Sequence, residues 1–137
     1  MKYLLDTSAW LRSALNPDTL PRFVTELVAN PDETIGVSIF TLWEVAKKNQ
    51  KGKLPLPMDL TEWLKAALPQ NVRLLPLTPE MIVEAARLPD FPTRDPADEL
   101  IVATARVLKL ILVTSDTKIK GYKHARIHYF KPVEPQT

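Results

Sequence analysis

Five acids carry the chemical potential of this chain: Asp6, Glu44, Asp95, Asp98 and Asp116. They are far apart in sequence, so their meaning depends on whether the fold gathers them. Carboxylates brought together repel, and leaving them ionised without a partner is costly. A hard cation removes that cost. The chain has no cysteine and only two histidines, His124 and His128, both late. Oxygen donors alone favour Mg²⁺ or Mn²⁺ over zinc. Such a cation activates water and stabilises charge on a phosphate in flight. A gathered acidic cluster would therefore suit phosphodiester hydrolysis.

The elements that must position these acids follow from hydrophobic pattern. Short apolar runs at Tyr3–Leu5, Thr34–Ser38, Val72–Leu75, Leu110–Thr114 and Ile127–Phe130 read as strands. Strands this short and apolar, separated by helical segments, predict a mostly parallel sheet covered on both faces. Helices are expected from Ser8 as cap through Leu15, from Pro21 through Leu27, from Phe40 to Asn49 and across Leu60–Leu68. Thr78-Pro79-Glu80 and Asp95-Pro96-Ala97-Asp98-Glu99 are start signals, a cap followed by proline and early acids, for two more. In open parallel sheets ligands bind outside the carboxyl ends of the strands. Asp6 closes the first strand, Ser115 and Asp116 follow the fourth, and Glu44 lies early in the helix after the second. Asp95 and Asp98 begin the helix that leads into the fourth strand; that start lies at the same edge if the Pro-rich loop Pro89–Pro96 returns there, so four acidic positions can converge.

Taken singly, each acid has a structural explanation. Asp6 could end a strand or cap a helix; Asp95 suits an N-cap. Asp98 gains from the helix dipole, Glu44 could pair with Lys48 at i,i+4, and Asp116 suits a turn. The joint placement at one edge is what points to function.

Composition narrows the class. There are 137 residues, with 18 Lys+Arg against 16 Asp+Glu, 45% hydrophobic and 25% charged. That fits one globular domain, neither a polybasic tail nor an acidic solvating segment. A single domain over 1–131 with a tail at 132–137 is expected. No apolar run approaches the about 20 residues that span a bilayer, and the start, with Lys2 and then Asp6, does not read as a secretory signal. A cytoplasmic location without membrane attachment is expected. The lack of cysteine excludes disulfide scaffolds and thiol nucleophiles. Three glycines, none close to another, exclude a glycine-rich phosphate cradle.

Four segments in order resemble a known family. These are Leu4-Leu5-Asp6-Thr7-Ser8-Ala9, Ser38 with Leu42-Trp43-Glu44-Val45-Ala46, Asp95 through Ala105, and Leu112-Val113-Thr114-Ser115-Asp116. They resemble the PIN-domain ribonucleases, especially VapC-type toxins of toxin–antitoxin pairs, over Met1 to about Phe130. The resemblance implies a three-layer α/β/α domain with a five-stranded, mostly parallel sheet. It implies that Asp6, Glu44, Asp98 and Asp116 are the catalytic, metal-holding acids, with Mg²⁺ or Mn²⁺ as cofactor. Asp95 matches the first acid of the DPxD signature. Thr7, Ser8, Thr114 and Ser115 stand beside those acids as groups that orient them or a bound water. Many relatives have Arg after the second Asp of that signature, where this chain has Glu99. Partners implied are an RNA substrate, a cognate antitoxin and a second copy in a homodimer.

The basic residues are uneven. Lys47–Lys53 holds four lysines and no acid, and Lys109–Lys131 holds six Lys/Arg with Asp116 as the only acid. Such runs can be solvated surface or a track for a phosphate backbone. Lys118, Lys120, Lys123 and Arg126 are the expected RNA contacts, with Tyr122 and His124 available to stack on bases and His128 assigned to structure. Trp10, Trp43 and Trp63 suit core or half-buried packing; Phe40, Trp43 and Trp10 could instead form an antitoxin groove. Two other functions fit parts of the sequence. One is a binding module without catalysis. The other is a haloacid-dehalogenase-type phosphatase, which needs an Asp where this chain has Ser8.

Overall fold

A computed structural model describes residues 1–134; of the expected tail, residues 135–137 lie outside the described residues. The strands are β1 (Tyr3–Leu5), β2 (Ile35–Ser38), β3 (Val72–Leu75), β4 (Ile111–Thr114) and β5 (Ile127–Tyr129). The helices are α1 (Thr7–Leu15), α2 (Arg22–Ala29), α3 (Ile39–Gln50), α4 (Leu60–Ala66), α5 (Pro79–Ala86) and α6 (Pro96–Leu108), with a short 3₁₀ turn at Pro17–Thr19. The five strands form one sheet in the order β3-β2-β1-β4-β5. All four pairings are parallel, so the sheet is wholly rather than mostly parallel.

This order follows from the chain's path. It builds β1, β2 and β3 outward in one direction, then crosses back to place β4 on the other side of β1. The strand order therefore reverses at the β1–β4 seam, and such a seam opens a crevice at the strands' carboxyl ends. Register there is close: Tyr3, Leu4 and Leu5 pair with Ile111, Leu112 and Val113. The Asp6 N–H then donates to the Val113 carbonyl at 3.1 Å, extending the ladder to the first acid.

Alternation along the central strands sends neighbours to opposite faces. Leu5, Ile35, Val37 and Val113 pack with Trp10, Val24, Leu27, Val45 and Trp63 on one side. Leu4 and Leu112 pack with Ile101, Val102 and Ala105 of α6, and with Ile119 and Tyr122, on the other. Leu4, Ile35, Val37, Leu112 and Val113 are wholly excluded from solvent. This explains why the strands read as continuous apolar runs.

One glycine is dictated by packing. A Cβ at Gly36 would stand 2.7 Å from Leu75 Cδ1, and Leu75 is itself buried. Gly36→Ala is expected to lower stability by about 1–3 kcal/mol, the usual cost of overpacking. Urea denaturation checks this, and unchanged stability would mean that Leu75 moves aside freely.

Beyond β5 the Val133 N–H donates to the Thr19 carbonyl at 2.8 Å, holding the start of the tail against the 3₁₀ turn. No helix among the described residues is long and apolar enough to cross a membrane.

Candidate metal centre at the carboxyl edge of the sheet

Asp6 is the hub of the carboxyl edge. It is the N-cap of α1, and its Oδ1 accepts from the Ala9 N–H and the Ser8 hydroxyl, both at 2.8 Å. The Thr114 hydroxyl, at the end of β4, donates to Oδ2. Asp6, not Ser8, therefore caps α1; Ser8 supports the cap and pairs with the Ser115 hydroxyl at 2.9 Å. The extended backbone of Asp6 (φ −77°, ψ 178°) is what lets it reach back to Ala9.

Glu44 comes from α3, which starts at the same edge because Ser38 ends β2 and caps the helix through the Phe40 N–H. The Thr7 hydroxyl donates to Glu44 Oε1 at 2.6 Å, and the Thr41 hydroxyl lies 3.2 Å from that of Thr7. Glu44 thus points inward to Thr7, and it forms no ion pair with Lys48 among the described residues.

Asp95 caps α6 through the Ala97 N–H at 2.9 Å. Asp98, in the first turn, accepts from Thr93 at 3.1 Å. Thr93 also accepts from the Asp95 N–H, so one hydroxyl ties the loop to both acids. Sequence reasoning missed Thr93; its signal was a threonine two residues before a cap, the spacing of a local side-chain turn. Asp116 follows β4 and accepts from the Lys118 N–H at 2.9 Å, while its own N–H donates to Thr114.

These side chains line a single cleft of about 310 Å³, comprising Asp6, Thr7, Ser8, Glu44, Lys48, Asp95, Asp98, Ile101, Ser115, Asp116, Lys118 and Ile119. Five carboxylates thus face two ammonium groups. Lys118 Nζ stands 3.6 Å from Asp98 and 3.9 Å from Asp116. Glu99 does not line the cleft.

The electrostatics report burial first and crowding second. Burial pushes the Asp6 carboxyl above its ordinary value against the pull of its three hydrogen bonds, and Asp116 adds to the rise. Burial also raises Glu44, with Asp95 and Asp98 contributing. Asp98 is raised by burial, then by Asp95 and Asp116. Lys118 is raised by Asp98 and Asp116.

Among the described residues no three acidic or histidine side chains stand close enough together to hold a metal ion as they are. The donor set nonetheless fits a hard divalent cation: it is all oxygen, its carboxylates are penalised for being charged together, and cations in the cleft are too few. Mg²⁺ keeps several waters and needs only one or two direct carboxylates, so an open cluster suffices.

A family model described as the PIN domain matches residues 3–125. The chain belongs to the PIN-domain family. It is 29% identical over 123 residues to a protein named Ribonuclease VapC22 from Mycobacterium tuberculosis, covering 90% of this chain and 93% of the relative. Its PIN fold is similar to VapBC2 from Rickettsia felis bound to a fragment of promoter DNA, at 18% identity and TM-score 0.71. It is equally similar to DNA-bound VapBC from Salmonella typhimurium, at 17% identity and TM-score 0.71. Each covers 94% of this chain and 98% of the solved chain. At such identities the likeness concerns the three-layer fold.

Other expected residues separate within this PIN domain. Lys118 sits at the acidic cleft. Lys120 lies over the Tyr129 ring, 4.5 Å from its centre. Lys123 and Arg126 line a different cleft. Tyr122 is no stacking platform: it is buried, its hydroxyl donates to the Pro89 carbonyl at 2.6 Å, and Phe91 packs edge-on against it. His128 stacks on Phe23 at 4.3 Å, a structural contact as expected. Trp10 is 1% exposed against Trp63 and cannot join a surface groove, whereas Trp43 is 55% exposed beside Phe40.

Proposed function

We propose that the chain is a metal-dependent endoribonuclease acting as the toxin of a toxin–antitoxin pair. The observation that carries this is the cleft of five carboxylates at the β1–β4 seam of a PIN-domain chain. Similarity to a protein named Ribonuclease VapC22 along nearly the whole chain supports it. Asp6, Glu44, Asp98 and Asp116 would hold Mg²⁺ or Mn²⁺. When bound, such an ion supplies an activated water and stabilises charge on the phosphate.

The chain's own residues prepare that chemistry. Thr114, Ser8 and the Ala9 N–H fix both oxygens of Asp6, leaving one lone pair of Oδ2 for a cation. Thr7 fixes Glu44 and Thr93 fixes Asp98, which lowers the ordering cost of binding. Lys118 offsets part of the charge of Asp98 and Asp116 in the metal-free cleft. Its side chain is 58% exposed, so it can turn to a backbone phosphate and supply the basic group that Glu99 does not.

The proposed partners follow from the same family membership. Structures similar to this chain are VapBC complexes, and an antitoxin segment over the exposed Trp43 and the half-buried Phe40, beside Glu44, would cover the cleft. A homodimer and a cytoplasmic setting complete the proposal.

Incubating the purified chain with total RNA tests the activity. Cuts at discrete sites are expected with Mg²⁺ or Mn²⁺ and none with EDTA. RNA binding without cleavage would favour a non-catalytic module instead.

A further inference from the structure

A second, larger cleft lies at the opposite edge of the sheet. It has a volume of about 470 Å³ and sits where α6 ends and β4 and β5 begin. Lys109, Lys123, His124 and Arg126 line it and are exposed. The one acid there is already engaged: Glu84 Oε1 accepts from Arg106 Nε at 2.8 Å. Arg106 also donates to the His124 carbonyl, which pins the loop. Lys109, Lys123 and Arg126 have no carboxylate at ion-pair distance among the described residues. Three cations therefore converge uncompensated.

This cleft connects to the acidic one. Lys118 lines both the acidic cleft and a depression next to it. Lys123 and His124 line both that depression and the basic cleft. The loop from Ser115 to Arg126 thus carries Lys118, Lys120, Lys123 and Arg126 from the carboxyl edge to the amino edge, with Asp116 at its start and Asp90 as the one acid lining the depression. Lys109 places its charge there at a conformational cost. It occupies the left-handed backbone region (φ 57°, ψ 43°) at the end of α6, which glycine fills more easily.

We propose that the basic cleft grips backbone phosphates of the same RNA strand whose scissile bond lies in the acidic cleft, with the strand following the Ser115–Arg126 loop. The inference rests on the ribonuclease reading and adds a distal anchor to it. Phosphate contacts set register and affinity without reading sequence. The unpaired cations along its lining suit a polyanion better than an apolar partner.

The test compares the parent with a Lys109→Gly, Lys123→Gln, Arg126→Gln triple variant. Labelled oligouridines of about 16 and about 4 nucleotides, the ends of the range that single-strand sites span, are titrated in EDTA. Loss of affinity is expected chiefly for the long probe. Its salt dependence should weaken by about 2 in log–log slope, at about 0.7 per phosphate contact. Lys109→Gly alone suits its backbone, so it should fold and still weaken long-probe binding; thermal melting checks this. Loss on the short probe alone, or no loss on either, overturns the anchor while RNA cleavage by the parent leaves the ribonuclease reading intact. Unchanged RNA binding by the triple variant, with loss of binding to an acidic peptide such as polyglutamate, would assign the cleft to protein instead. If the parent neither binds nor cuts RNA, both ideas fall.

Discussion

Asp98→Asn is expected to reduce RNA cleavage by about a thousandfold or more, because a metal contributes several kcal/mol to the transition state and each 1.36 kcal/mol is tenfold in rate. The substitution removes charge without removing volume. The new amide would still accept from Thr93 through its carbonyl oxygen, so the loop ahead of α6 stays tied. The ion pair with Lys118 disappears, but it is a solvent-facing pair of small energetic worth. At the same time, a carboxylate disfavoured by burial and by Asp95 and Asp116 gives way to a neutral group. The metal-free variant should therefore melt no lower than the parent. Activity falling with an unchanged melting temperature separates loss of chemistry from loss of fold. If purified Asp98→Asn cleaved RNA as well as the parent does, the metal-site assignment would fail. Asp6→Asn should be equally inactive, but it also disturbs the α1 cap and the Thr114 hydrogen bond, so it is the less clean probe.

The second large effect concerns pH and metal together. Asp6, Glu44 and Asp98 all have carboxyl groups raised in the folded protein, in each case mainly by burial. The native state then binds protons more tightly than the unfolded chain, and stability falls as pH rises. Below the ordinary carboxylate value of about 4 both states are protonated and these three groups add their full contribution. That contribution is lost as pH climbs through the raised folded values. Metal-free protein is thus expected to melt at a higher temperature in mildly acidic buffer than at neutral pH. Adding Mn²⁺ at neutral pH should reverse the loss, by about 2.7 kcal/mol at a hundredfold excess over Kd. Asp98→Asn should reduce the pH dependence, leaving the part due to Asp6 and Glu44, and remove most of the response to Mn²⁺. Scanning calorimetry at several pH values, with EDTA or with Mn²⁺, measures both. A melting temperature that rises steadily to neutral pH and ignores Mn²⁺ would contradict a cluster of crowded carboxylates awaiting a cation.

Much of this architecture was legible because local signals and burial agreed. The apolar runs that form β1 and β4 are buried on both faces, so their sequences carry no polar alternation to confuse them. Asp95-Pro96 opens α6 where a cap followed by proline predicts it. Strand boundaries fell within a residue of those observed, and helix ends within about two. Side-chain exposure was less legible. Trp10 and Trp43 are the same residue type on helices that both follow strands at one edge. Trp10 faces the sheet and donates to the Ala67 carbonyl, while Trp43 faces solvent under Lys47. The difference lies in what packs against each helix, which no window around either tryptophan contains.

The basic run shows the same limit. Lys118 and Arg126 are close in sequence, yet they border clefts at opposite edges because the connection between parallel strands must cross the height of the sheet. Sequence alone determined the identities that matter: oxygen-only donors, acids at strand ends and helix starts, and lysines between the last two strands. Only the tertiary structure decided their company. It put Asp6 in the grip of Thr114 and Ser8, aimed Glu44 at Thr7 instead of Lys48, set Lys118 between two acids, and divided one basic run between two clefts. The physical reason is that strand pairing and crossover direction fix which distant residues share a desolvated space, and pKa, hydrogen bonding and ion affinity all depend on that space.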